Sequence, residues 1–236
     1  MNAEQQHPFP ANKGKDLTIK TDKGIYTRYP IKTQLINSND CLTSIVYQSV
    51  KDYITPDDIL FISEKVVAIT QGRAFPISEI TPSPLAKFLT KFVHKSPYGI
   101  GLGMPETMEL AIKEVGVIKI LLAALCAGFF KVFGIRGVFY KICGNKARAI
   151  DGPCEYTIPP YNNYAKLAPF KPNKVAKELE TAVGCPVFII DANDLGVEVL
   201  GRSTKAIDIS LIKQIFKDNP LGQCDQQTPI AIVRKN

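Results

Sequence analysis

The sequence predicts an α+β fold, with mixed sheets and flanking helices, on three observations. Short runs rich in Ile, Val and Phe, such as "VFII" and "PIAIV", read as strands. Longer stretches with apolar residues at helical spacing, such as 41–53 and 174–183, read as helices. The two kinds are mixed without strict strand–helix alternation, which argues against a doubly wound parallel sheet. The 236 residues, 45% hydrophobic and 22% charged, suit one domain over 21–236. A flexible tail is expected at 1–20, and the only candidate break lies near 150–170. The opening "MNAEQQHPFPANKGKD" is polar and lacks the apolar core of a secretory leader.

The first strand falls at 17–21 or 25–31. "NSND" at 37–40 is a turn or cap before the helix at 41–53, where Leu42, Ile45, Val46 and Val50 recur. "ILFISEKVVAI" reads as two strand-like halves, or as a strand entering a helix. Ser83 caps a helix started by Pro84. The glycine-rich loop "YGIGLGMP" leads into a helix over 105–115, and an apolar helix over 118–130 follows. "GIRGVFYKICGNKARAIDGP" reads as strand, turn and loop. "CEYTIPPYNNYAKLAPFKPNK" reads as a loop stiffened by proline. Asn173 caps a helix over 174–183, Gly184 ends it, and Pro186 leads into a strand over 187–190. A last helix over 208–217 precedes the terminal strand "PIAIV".

The net charge of +7 favours anionic partners such as nucleotides and phosphorylated metabolites, or is a solvated basic surface. The lysines are scattered, without the dense block of a nucleic-acid arm, so no nucleic-acid partner is expected. The six cysteines form no CxxC pair and no Cys/His zinc spacing. They read as free thiols of a reducing, cytoplasmic compartment. Residues 120–130, "ILLAALCAGFF", are uncharged between Lys119 and Lys131. They are too few to span a bilayer, which needs roughly 20. They read as a buried helix without membrane contact, with a membrane-surface or partner contact as the alternative.

Asp191, Asn193 and Asp194 close the apolar run "FII". Mg²⁺ and Mn²⁺ take such oxygen donors, usually one or two carboxylates with substrate phosphates. The same run also reads as an Asx-turn before Gly196. Asp151, before Gly-Pro, is a second acidic stop, and residues 221–228, "LGQCDQQT", form a third polar knot. Each abuts a strand, and the three together suit one cation. The glycine loop Gly99, Gly101, Gly103 either cradles phosphate or serves as a turn. It lacks GxGxxG spacing, and no Walker A run occurs. His7 and His94 are the only histidines and G-x-S-x-G is absent, which leaves nucleophilic catalysis without support.

Four stretches, "ITPDDILFISEKVVAITQGR", "AIDGP", "VFIIDANDLG" and "NPLGQCDQQTPIAIV", together resemble the coenzyme F420-0:L-glutamate ligase family. The resemblance covers 29–73 and the part from 149 onward; residues 80–146 resemble uncharacterised bacterial members. It implies an amide ligase that joins L-glutamate to a carboxylate acceptor with GTP and Mg²⁺ or Mn²⁺. It also implies a homodimer. A folate- or pterin-like acceptor and a non-catalytic metabolite- or nucleotide-binding homologue are the alternatives. By resemblance, Asp151 and Asp191 are the catalytic, metal-holding aspartates, joined at the metal by Asn193, Asp194 and Gln223. Thr33, Lys65, Arg73, Leu221, Gly222 and Gln223 border the nucleotide. The chain departs from the family pattern at four places. Glu64 replaces a serine, Ile69 a phosphate-facing lysine and Cys154 an asparagine, and the arginine after Asp191 is missing. A lost cation beside a gained carboxylate weakens triphosphate binding.

Overall fold

The computed structural model describes residues 9–93, 101–135, 137–193 and 196–236. In chain order they form β1 (Thr18–Thr21), β2 (Gly24–Ile31), α1 (Leu42–Val50), β3 (Ile59–Ser63), α2 (Glu64–Thr70), β4 (Ala74–Pro76), α3 (Pro84–Leu89) and α4 (Pro105–Val115). There follow α5 (Val117–Val132), α6 (Val138–Cys143), α7 (Asn145–Arg148), β5 (Tyr164–Lys166), α8 (Pro172–Val183), β6 (Val187–Asn193), β7 (Gly196–Arg202), α9 (Ile209–Ile215) and β8 (Ile230–Lys235). The fold is α+β, as the mixed pattern predicts. The chain forms two compact units. One compact unit is Met1–Gln71 with Pro169–Asn236, and the other is Gly72–Ala168.

The first unit is built on a six-stranded sheet in the order β1-β2-β8-β3-β6-β7. Only β3 and β6 run parallel; every other neighbouring pair is antiparallel. The central strands are apolar on both faces because helices or loops cover both. Leu60, Ile62, Val187, Ile189, Ile230 and Ile232 pack against α1, α2 and α8. On the other face Phe61, Phe188, Ile190 and Ala231 meet Ile212, Ile215 and Phe216, with the Phe61 and Phe216 rings stacked at 4.2 Å. Gly201 in β7 lets α8 approach: a Cβ there would stand 2.6 Å from the Pro172 backbone. Two ion pairs tie distant segments to this sheet. The fully buried Arg28 guanidinium engages both oxygens of Asp218 and the Ile215 carbonyl. Arg234 grips the buried Asp58 through two bonds, at 2.8 and 2.7 Å.

The second unit packs α3 to α7 around Leu89, Met108, Ala111, Ile112, Ile120, Ala123 and Ile150, beside the short antiparallel pair β4–β5. Ser83 caps α3 as expected, accepting from the Ala86 N–H at 3.2 Å. Its own N–H donates to Glu109 at 3.0 Å. Burial pushes the Glu109 carboxyl up, but the Ser83 bonds and the Lys113 charge outweigh it and hold it below the usual range.

Several expectations are corrected. Residues 138–143 and 145–148 are helical, not strand and loop. Their aromatic and branched residues find a partner in the apolar cluster of their unit, where packing overrides strand propensity. The helix at 118–130 extends to Val117–Val132, but only Ile120 and Ala123 on it are buried. Most of its apolar side chains face outward. No single helix among the described residues is long and apolar enough to cross a membrane. Asn173 does not cap α8; Lys171 stands at that position, and Asn173 Oδ1 accepts from the Arg202 N–H at 2.9 Å. The strand expected at 187–190 runs on to Asn193 and pairs with β7, a strand the sequence reading passed over. Residues 9–20, read as tail, are held. Phe9 packs edge-on against Tyr53, Asn12 donates to Pro220 and Thr228, and Lys15 donates to the Asp218 carbonyl at 2.6 Å.

Burial alone would push the Asp218 carboxyl up; the bonds and charge of Arg28 prevail and hold it below the ordinary value. The stabilisation from this pair is therefore complete above the usual aspartate pKa, near ~4. It is lost as pH falls through the lower folded-state value. Asp218→Asn is expected to cost about 2 kcal/mol at neutral pH, with the carboxylate's partial exposure discounting the cost of a fully buried pair. Urea denaturation across acid pH measures it, and the gap between variant and parent narrows toward low pH.

Candidate functional site

Four segments of the sheet unit end along one edge. Ile31 at the end of β2 pairs with Ile230 at the start of β8, which pairs with Ile62 in β3. Ser63 pairs with Ile190 in β6. The residues just beyond this row are Thr33, the 221–228 knot, Glu64 with Lys65, and Asp191. Strand ends of this kind are where side chains from several elements meet a ligand. Two backbone bonds knit the row. The Thr33 N–H donates to the Gln227 carbonyl at 3.1 Å, and the Ser63 N–H donates to the Pro229 carbonyl at 2.8 Å.

The 221–228 knot is held by its own polar groups. Asn219 is fully buried with φ 47°. It donates through Nδ2 to the Gly222 carbonyl and accepts from the Gly222 N–H, both at 3.1 Å. Thr228 Oγ1 donates to the Leu221 carbonyl at 2.7 Å. Gln226 Oε1 accepts from the Cys224 N–H at 2.7 Å. Gly222 sits at φ 77°, where a Cβ would come 2.6 Å from the Gln226 side chain. Leu221 is buried, while Gly222 and Gln223 are half-buried at the surface of the knot.

Asp191 and Asn193 lie within β6 rather than after it. Strand alternation places Asp191 with Val187 and Ile189, on the α1, α2 and α8 face. The Asx-turn reading does not apply to Asp191, because it pairs with Glu198 across the β6–β7 ladder. Asp194 lies outside the described residues, as do His7, His94 and Gly99. Among the described residues, no three His, Cys, Asp or Glu side chains stand close enough to hold a metal ion by themselves. A Mg²⁺-type ion needs fewer protein ligands, since phosphates and water complete its shell. Asp191 and Asn193 match such an ion in donor type.

The remaining candidates have other engagements. Asp151 belongs to the second unit, bridged backbone to backbone with Lys166; its carboxylate stands 3.4 Å from the buried Lys166 ammonium. Arg73, in the same unit, donates to the Ala168 carbonyl at 2.6 Å and pairs with Glu114 at 3.1 Å. Lys65 is half-buried at the start of α2, beside the buried Glu64. Ile69 packs as a buried residue on the same helix, so the family's cation position is occupied by core. Cys154 donates its N–H to the Asn162 carbonyl at 3.0 Å.

Sequence reasoning missed the residues that hold the knot, Asn12, Asn219 and Thr228, and the carboxylate opposite Asp191. An Asn-Pro pair at 219–220 is a turn signal that marks the first bend. Glu198 was legible by hairpin arithmetic: with Asn193 opposite Gly196, Asp191 must face Glu198. Like charges directly opposed are unfavourable; Lys213 offsets this by pairing with Glu198 at 3.0 Å.

Gly222→Ala is expected to cost about 1 kcal/mol, because an L side chain is strained at this φ. It also pushes Gln226 off the Cys224 N–H. Denaturant unfolding reads the first effect, and faster amide exchange at Cys224 reads the second.

No curated protein matches the chain significantly. A family model described as F420-0:Gamma-glutamyl ligase matches residues 30–206. That span includes β3, α2, the Asp151 bridge and the Asp191 hairpin, and it stops short of the 221–228 knot. With three-quarters of its length matched, the chain belongs to the F420-0:gamma-glutamyl ligase family.

Proposed function

We propose that the protein is an amide ligase of the glutamyl-ligase type, which joins L-glutamate to a carboxylate acceptor with a nucleoside triphosphate. The observation that carries this reading is the row at one edge of the sheet. Thr33 is bonded to Gln227 of the 221–228 knot, and Asp191 follows Ile190, the last residue of β6 paired with β3. Polar backbone from the knot and Thr33 suits a nucleotide. Leu221, Gly222 and Gln223 would line its border, and Lys65, at the start of α2, is the cation proposed for its phosphates. Asp191 and Asn193 would hold a Mg²⁺ or Mn²⁺ ion, whose contribution is to neutralise charge on phosphate oxygens.

The chemistry balances in two transfers. The acceptor carboxylate oxygen takes the terminal phosphoryl group, giving an acyl phosphate and a nucleoside diphosphate. The glutamate amine then attacks the acyl carbon, the amide bond forms, inorganic phosphate leaves, and the amine gives up a proton. GTP is the proposed nucleotide. The acceptor is of the F420-0 type or is folate- or pterin-like; product mass after incubation with each distinguishes them.

A second reading, a homologue that binds a nucleotide or metabolite without turnover, is favoured by specific contacts. Ile69 is packed in the core, Arg73 is engaged by Glu114, and the Asp151 carboxylate faces Lys166. These leave fewer charges for a triphosphate.

Calorimetric titration of GTP and ATP, with and without Mn²⁺, tests the proposal. Binding of one nucleotide that requires Mn²⁺, lost in Asp191→Asn with unchanged thermal stability, is the expected result. Phosphate release with a glutamylated product supports the ligase, whereas binding without turnover supports the second reading. If neither nucleotide binds under either condition, the nucleotide site is absent and the ligase reading fails.

A further inference from the structure

The outward face of α5 is a feature the ligase reading leaves unused. Ile118, Leu122, Leu125, Phe129 and Val132 are all exposed, with Ile118 at 85%, Leu125 at 72% and Phe129 at 63%. Their spacing of four, three, four and three residues aligns them in one stripe along the helix. The buried Ile120 and Ala123 lie on the opposite side. An apolar stripe opposite the buried side is not explained by the core of its unit.

The charges carried by α5 and α6 are of one sign, while Glu114, just before α5, is taken up by Arg73 and Lys146. Residues 115–150 contain six Lys or Arg and no Asp or Glu. Lys119 and Lys131 bracket the apolar run and are exposed, as is Lys141 on α6. At a helical step of 100° per residue, the two lysines flank the centre of the stripe at about 100° on one side and about 140° on the other. Long side chains there can lie along an apolar surface while their ammonium groups reach anionic headgroups. Phe129 and Phe133 pack at 5.3 Å near the C-terminal end, adding aromatic surface at headgroup depth.

We propose that the exposed face of α5 docks in the plane of an anionic lipid surface. The helix has 16 residues, hence a length of about 24 Å. That is short of the roughly 30 Å hydrocarbon core of a bilayer, so it lies on the membrane rather than across it. A second copy of the chain is a poorer occupant, because an isologous contact brings the exposed Lys119, Lys131 and Lys141 of both copies together. A protein partner is also a poorer fit. Apart from Lys119, Lys131 and Cys126, α5 carries no side chain able to hydrogen-bond, whereas protein interfaces average about one such bond per 100–200 Å².

Flotation of the full chain with phosphatidylcholine vesicles, with and without phosphatidylglycerol, tests the proposal. Binding is expected only with phosphatidylglycerol, with loss on raising the salt. Leu125→Asp with Phe129→Asp abolishes it, and Lys119→Glu with Lys131→Glu weakens it about tenfold or more. Circular dichroism on both double variants confirms that each remains folded. No binding to either vesicle, equal binding to both, or equal binding by parent and variants overturns the proposal. So does a dimer in sedimentation that Leu125→Asp with Phe129→Asp dissolves while vesicle binding is absent, since a second copy then covers the face. Binding to poly-L-glutamate as tight as to the vesicles would instead assign the face to an acidic protein.

Discussion

The sheet unit depends on its last strand. β8 comes from the end of the chain and is inserted between β2 and β3, antiparallel to both. Its Ile230, Ala231, Ile232 and Val233 supply both cores at once. Removing it would split the sheet and leave β2 and β3 with unpaired backbone, which is costly when buried. These pairings span nearly the whole length of the chain, so the sheet cannot close until the C-terminal residues are in place. Loop closure over such distances is slow relative to local contacts.

The same insertion sets the candidate site. A strand entering the middle of a sheet must bring the segment before it to the sheet's edge. That segment is the 221–228 knot, and Thr33 leaves β2 at the same level. Local bonds from Asn219, Thr228 and Gln226 give the knot its shape, and Asn12 ties it to the N-terminal segment. The backbone there is strongly bent: Asn219 and Gln227 adopt positive φ without being glycine. Positive φ in non-glycine residues persists where surrounding contacts over-determine it.

The charged groups fall into two classes by their surroundings. Arg28, Asp58 and Arg234 are committed to pairs that hold segments to the sheet. Arg73 and Asp151 have partners within the second unit. Lys119, Lys131 and Lys141, on α5 and α6, are exposed, and Lys146 pairs with Glu114 at 3.3 Å. Cysteine chemistry divides in the same way. Burial, followed by the Asp58 charge, pushes the Cys185 thiol up to about 12, which marks it as packing material rather than a reactive group. Cys41 and Cys224 are exposed.

The sequence by itself determined the elements whose signals are local. Helices α1, α4 and α8, strands β3 and β8, the Ser83 cap and the stop at Gly184 follow from periodicity, proline and glycine. The family was legible too, because its motifs are short runs around strand ends. Tertiary structure decided what depends on distant partners. Residues 138–143 became helix because a cluster was there to receive them. β6 ran past Ile190 because β7 paired with it. The helix at 120–130 looked buried from composition, yet composition cannot say which side of an apolar helix meets the core. The site was legible in its residue types and not in its distant companions. Asp191 and Thr33 stood out by motif and Glu198 follows from the register of a short hairpin, whereas Asn12 matters only through hydrogen bonds to Pro220 and Thr228, which no local stretch of sequence encodes.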